Sequence, residues 1–67
     1  MLEIGERMRT VRVRNQISVR EMAEIIGIDH TAISRIERGL RPPPLDILMV
    51  YSKLFKITID SLVGINQ

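Results

Sequence analysis

Residues 17–39, ISVREMAEIIGIDHTAISRIERG, leave little freedom in how they can fold. Ser18 and Glu21 are spaced as a capping box, in which each side chain satisfies the other's orphan backbone N–H. Ile17 before the cap and Met22 within the helix form the matching hydrophobic staple. The helix runs through Ala23 and Ile26 and stops at Gly27, which can take the left-handed conformation that ends helices. Asp29 can then cap a second helix, with Ile28 and Ile33 repeating the staple, and Gly39 ends it. Two capped helices this short, joined by so tight a turn, cannot lie side by side over much length. They must cross, and Ala23 is the small residue a crossing needs. The expected result is a helix-turn-helix over about residues 18–38.

The rest of the chain reads as more helices. The spacing of Ile4, Met8 and Val11 predicts a first helix over Glu3 to Asn15 with these three facing inward. Helices over 19–26 and 30–38 follow. Leu40-Arg41-Pro42-Pro43-Pro44 is a stiff connection, since proline cannot continue the third helix but suits the first turn of a fourth, from Pro44 to Phe55. Thr58 caps a short fifth helix, with Ile57 and Leu62 as its staple. The expected fold class is all-α, five helices in a single domain spanning 1–67, and no second module is expected.

Sixty-seven residues lie near the lower limit for one self-sufficient core. There is no cysteine, so neither a disulfide framework nor thiolate metal ligation is available, and the lone His30 makes no metal site. The longest apolar run, Ile47 to Tyr51, is far shorter than the roughly 20 residues of a membrane helix, and the N-terminus is no signal peptide. A cytoplasmic bacterial or phage protein is expected, with no membrane association, cofactor or small-molecule ligand. No nucleophile–base set, carboxylate pair or phosphate-binding glycine loop is present, so no enzyme is expected. Net charge is only +2, but every arginine (Arg7, Arg9, Arg12, Arg14, Arg20, Arg35, Arg38, Arg41) lies in the first 41 residues. That asymmetry suits one DNA-facing side.

The segment resembles the Cro/cI (Xre-type, lambda-repressor-like) DNA-binding family, on Ser18, Glu21, Met22-Ala23, Gly27, Ile28, Ile33-Ser34 and the run Arg35 to Gly39. The likeness extends to IGERMRTVR at 4–12 and to Leu45–Val63, so nearly the whole chain is covered. One departure stands out. The family usually carries Gln after the Ser cap, touching the DNA backbone, whereas this chain has Val19. That contact is either missing or supplied elsewhere, with Arg20 the nearest candidate.

At 100° per residue, Ile33 and Ile36 mark the inward side of the third helix, with Thr31, Ser34, Arg35 and Arg38 on the opposite arc. His30 sits at the end that first meets a major groove. Arg35 is the strongest base reader, because a guanidinium can bond guanine O6 and N7 together. The resemblance places base readers at His30, Thr31, Ser34 and Arg35. Arg38 and Arg41 are better placed for phosphates, as are Ser18 and the free N–H groups at the start of the second helix. The resemblance also implies a structural ion pair between Arg12 and Glu37.

The fourth helix carries surplus apolar surface. Leu45, Leu48, Ser52 and Phe55 are expected to face inward with Tyr51 at the margin, leaving Ile47, Val50 and Leu54 as a second stripe. Members of the family usually look polar or small there. An exposed aliphatic stripe marks a partner surface, and the simplest partner is a second copy; the alternative is that the fifth helix folds over and buries part of it. The expected function is a sequence-specific transcriptional regulator, a repressor binding a partly palindromic double-stranded DNA operator as a homodimer. The alternatives are a protein-interaction module such as an antitoxin or anti-repressor, or a restriction–modification controller.

Overall fold

A computed structural model describes residues 2–64 and shows five helices: α1 (Leu2–Arg14), α2 (Val19–Ile26), α3 (His30–Glu37), α4 (Leu45–Phe55) and α5 (Ile59–Val63). No strand occurs among the described residues. Helix α1 packs on α3, α5 and α4, α2 packs on α3, and α5 closes against α4. The core is Met8, Met22, Ala23, Ile33, Ile36, Ile47, Leu48, Tyr51 and Leu62, so every helix contributes at least one side chain. Ile4 and Val11 pack against it from the inward face of α1.

The expected caps form. The Ser18 Oγ accepts from the Glu21 N–H at 3.0 Å, and the Ser18 N–H donates to the Glu21 carboxylate at 2.8 Å. Gly27 ends α2 at φ 87°, and its N–H donates to the Ala23 carbonyl at 2.7 Å. Asp29 caps α3 and Thr58 caps α5, each accepting a backbone N–H from the first turn. Two helix ends gave no comparable signal. The chain turns left-handed at Gln16 (φ 60°) after α1 and at Lys56 (φ 56°) after α4, with no glycine at either place. Gly5 plays a part the sequence did not announce. A Cβ there would collide with the Ile36 carbonyl oxygen and stand 2.7 Å from that of Glu37. The backbone of α1 therefore lies directly on the last turn of α3.

A buried polar node lies beside this contact. The Arg12 guanidinium grips the Glu37 carboxylate with two parallel 2.8 Å bonds, from Nε and Nη2. Its Nη1 donates to the Ile17 carbonyl at 2.7 Å, and the Tyr51 hydroxyl donates to Glu37 Oε2 at 2.9 Å. Bonds to Glu37 hold the guanidinium above its ordinary pKa despite the opposing effect of burial. Burial, reinforced by the Glu37 charge, pushes the Tyr51 phenol up, so it remains a neutral donor. The Arg12–Glu37 pair is as expected. The third member, Tyr51, is new.

Tyr51 corrects the reading of α4. It is fully buried rather than marginal, because its hydroxyl reaches Glu37, and this turns the helix about its axis. Ile47 is carried inward to 6% exposure, while Leu45 is left 64% exposed. Ile47 is thus core and cannot form part of a surface stripe. Leu45 faces outward, not inward. Val50 is half-buried against the core, and Leu54 is exposed.

Replacing one member of the node leaves a buried charge without its partner, which costs about 3–5 kcal/mol. Arg12→Met or Glu37→Met alone should therefore unfold much of so small a domain at 25 °C. The triple variant Arg12→Met/Glu37→Met/Tyr51→Phe, with no charge left to strand, should recover most of the lost stability in urea denaturation.

Candidate nucleic-acid interface

The outer arc of α3 is open because its inner arc is committed. Ile33 and Ile36 are sealed in the core, at 0% and 1% exposure, and a helix cannot bury both faces against one neighbour. Thr31, Arg35 and Arg38 consequently stand exposed on the far side, with Ser34 and His30 half-buried beside them. Arg41, in the connection after α3, is also exposed. The helix ends by bonds from the Gly39 N–H to the Ile36 carbonyl and from the Leu40 N–H to the Arg35 carbonyl, so the chain leaves without lengthening the presented face.

The turn between α2 and α3 forms a shallow recess. Arg20, Ala23 and Glu24 line it from α2, and Gly27, Ile28, Asp29 and His30 from the turn and the start of α3. Arg20 and His30, assigned different roles on the sequence, thus share one wall-to-wall site. His30 Nδ1 lies 3.3 Å from Asp29 Oδ1, and that carboxylate also accepts the Thr31 N–H. Glu24 and the Asp29–His30 contact were not anticipated, although their adjacency across a glycine turn was readable.

Val19, where the family's usual Gln is missing, packs half-buried on the core and offers no polar group. At Ser18 the capping box is as expected, with the backbone N–H taken by Glu21. The Ser18 hydroxyl, which accepts from Glu21, keeps its own proton to donate. The arginines are also not one population. Arg12 is interior and Arg7 is half-buried with its guanidinium against Gly64, whereas Arg20, Arg35, Arg38 and Arg41 are free at the surface.

Residues 8–62, most of the chain, match the family model described as Helix-turn-helix. The chain belongs to the Cro/cI-type helix-turn-helix family. It is 28% identical over 92% of its length to an uncharacterized HTH-type transcriptional regulator, YobD, of Bacillus subtilis. It is 32% identical over 94% of its length to the HTH-type transcriptional activator BcrR of Enterococcus faecalis. The chain spans 55% of the first relative and 31% of the second, so each extends well beyond the shared region. The fold also matches the crystal structure of the restriction-modification controller protein C.AhdI from Aeromonas hydrophila, with TM-score 0.80 and 24% identity over 91% of this chain and 92% of that one. The fold class is therefore five-helix, all-α and lambda-repressor-like.

Both carboxylates that shape this face are held below the usual carboxylate range, chiefly by backbone hydrogen bonds: Glu21 from Ser18, and Asp29 from Thr31. A lowered folded-state pKa means that the folded chain binds fewer protons. The caps' contribution is therefore fully present above the ordinary carboxylate range and lost as pH falls below it, through the lowered folded-state values. The melting midpoint of the native protein should drop on going from about pH 6 to about pH 3. The Glu21→Gln/Asp29→Asn variant, which keeps hydrogen-bonding groups but cannot titrate there, should show a smaller drop by circular dichroism.

Proposed function

We propose that this domain is a sequence-specific DNA-binding transcriptional regulator, a repressor that binds a partly palindromic operator as a homodimer. The observation that carries this reading is the arc of Thr31, Arg35 and Arg38, exposed on a helix whose opposite face is buried. In a helix-turn-helix, that arc enters the major groove. His30, Thr31, Ser34 and Arg35 read base edges, while the Ser18 hydroxyl, Arg20, Arg38 and Arg41 bind phosphates on either side. The relatives' names as transcriptional regulators support the class of function. Repression by occlusion is the simplest sign, where the operator overlaps the polymerase site. Transcription in vitro from an occupied promoter tests the sign.

Binding-site selection from a random duplex library identifies the operator. Arg35→Ala should then lose about 1–3 kcal/mol on that site and discriminate poorly at one base pair per half-site. Arg38→Ala and Arg41→Ala should instead weaken all sequences alike and flatten the salt dependence by about one unit each. Equal loss on operator and random DNA would move Arg35 to the phosphate set.

The dimer reading rests on α4 without Ile47. Leu54, at 41% exposure, and the half-buried Val50 beside it remain available to a second copy. Leu54→Glu should leave the monomer helical, because the side chain is already partly in water. It should dissociate the dimer by placing two like charges in an apolar contact. Two recognition helices would no longer be held about 34 Å apart, and operator affinity should collapse. A variant that sediments as a dimer and binds normally would put the interface elsewhere.

A further inference from the structure

Arg7 differs from Arg12 in what its donors meet. Arg12 places Nε, Nη1 and Nη2 on protein acceptors. Arg7 is half-buried between α1 and α5, and its Nε is shut off from water without an acceptor. Among the described residues, no carboxylate lies within salt-bridge distance of it. The guanidinium is nonetheless confined: a Cβ on Gly64, at the end of α5, would stand 3.0 Å from Nη2. A partly desolvated cation without a counter-charge is costly, and an anion that pairs with it relieves that cost.

This cation opens onto a groove of about 480 Å³ between α1 and α5. Small-molecule sites run from roughly 300 to 1,000 Å³, mostly apolar with a few polar groups. Val11, Ile57 and Leu62 give the groove an apolar floor, and exposed Thr10 and Ser61 add a hydroxyl each. The other charged groups lining it are Glu3, Glu6 and Arg14, all exposed. With Arg7 they make two cations and two anions, so the groove exerts no net pull on a polyanion. What it lacks is one negative group at Arg7 with apolar matter beside it.

We propose that the α1–α5 groove binds a small amphipathic carboxylic acid, whose carboxylate pairs with the Arg7 guanidinium and whose hydrocarbon part covers Val11 and Ile57. The guanidinium fork matches a carboxylate, and the apolar floor removes the tail from water. None of the lining residues belongs to the outer arc of α3 or to the recess between α2 and α3. The site therefore stands apart from the proposed DNA face, and neither it nor its test depends on that reading.

The test titrates hexanoate into the full chain and follows the backbone amides and the Arg7 Nε–H by two-dimensional NMR. Acetate, hexanol and inorganic phosphate are titrated in parallel at fixed salt and pH. The expected result is a saturable shift in hexanoate, confined to α1, α5 and the Arg7 Nε–H, at lower concentration than with any of the other three. Arg7→Met, which keeps the apolar stem, should weaken hexanoate about tenfold or more, the size of a lost charge-assisted bond. Ser61→Phe, which fills the groove from an exposed position, should block binding with every charge intact. Should Arg7→Met fail to fold, Ser61→Phe and the comparison of acid with alcohol on the native chain decide. Hexanol binding as tightly as hexanoate, or an Arg7→Met variant binding as the native chain does, would overturn the proposal, since no carboxylate would then be read. Acetate or phosphate matching hexanoate would overturn it as well, leaving Arg7 a contact for any anion. So would the absence of a saturable shift in the native protein.

Discussion

The grip of Arg12 on Glu37 is the constraint around which this domain is arranged. It joins residues 25 apart in the chain, the inner face of α1 and the last turn of α3, by two parallel charge-assisted bonds. The same guanidinium holds the Ile17 carbonyl at the entrance to α2, and the same carboxylate takes the Tyr51 hydroxyl from α4. Four segments therefore meet on one pair of side chains. An ion pair this deep is not the cheapest way to gain stability, since apolar residues of similar volume can pack as well. What it supplies is direction. Parallel bonds between two planar groups define an orientation that interchangeable aliphatic contacts would leave loose.

That orientation matters because of what α3 presents. Its buried isoleucines set which way the helix faces, and the node and the close approach of Gly5 set how its end sits on α1. Thr31, Arg35 and Arg38 are exposed as a consequence of burial on the other side. The capping groups work at shorter range. Glu21 occupies the N–H of Ser18, and Asp29 serves both the Thr31 N–H and the His30 ring, so the two short helices begin and end at defined residues. The half-buried Val19 brings no polar side chain to this edge, where Ser18 and Arg20 are the exposed neighbours.

The arginines show how little a charge count says about a site. Their crowding into the first 41 residues draws attention to the half of the molecule that carries α2 and α3. Yet Arg12 is spent entirely on the interior, and the guanidinium of Arg7 lies against Gly64 beside α5. A modest net charge of +2 therefore coexists with an α3 edged by exposed cations, because burial sorts residues that composition cannot.

Local order was determined by the sequence alone. The capping box at Ser18 and Glu21, the glycine stop at Gly27, the Asp29 and Thr58 caps and the inward spacing of Ile4, Met8 and Val11 all involve groups within a turn or two of one another. Such interactions can be read from spacing. Even here the left-handed turns after α1 and α4 escaped, since Gln16 and Lys56 make them without glycine, although Phe55 is the last residue of α4 as expected. The tertiary structure alone decided the rotation of α4, which buries Ile47 and Tyr51 and exposes Leu45, as well as the contact at Gly5. A helix whose residues are apolar nearly all round has no unique inward face in its own periodicity. The choice falls to a distant partner, and here that partner is the Glu37 carboxylate, which accepts a hydrogen bond that only Tyr51 among the α4 side chains was in place to give.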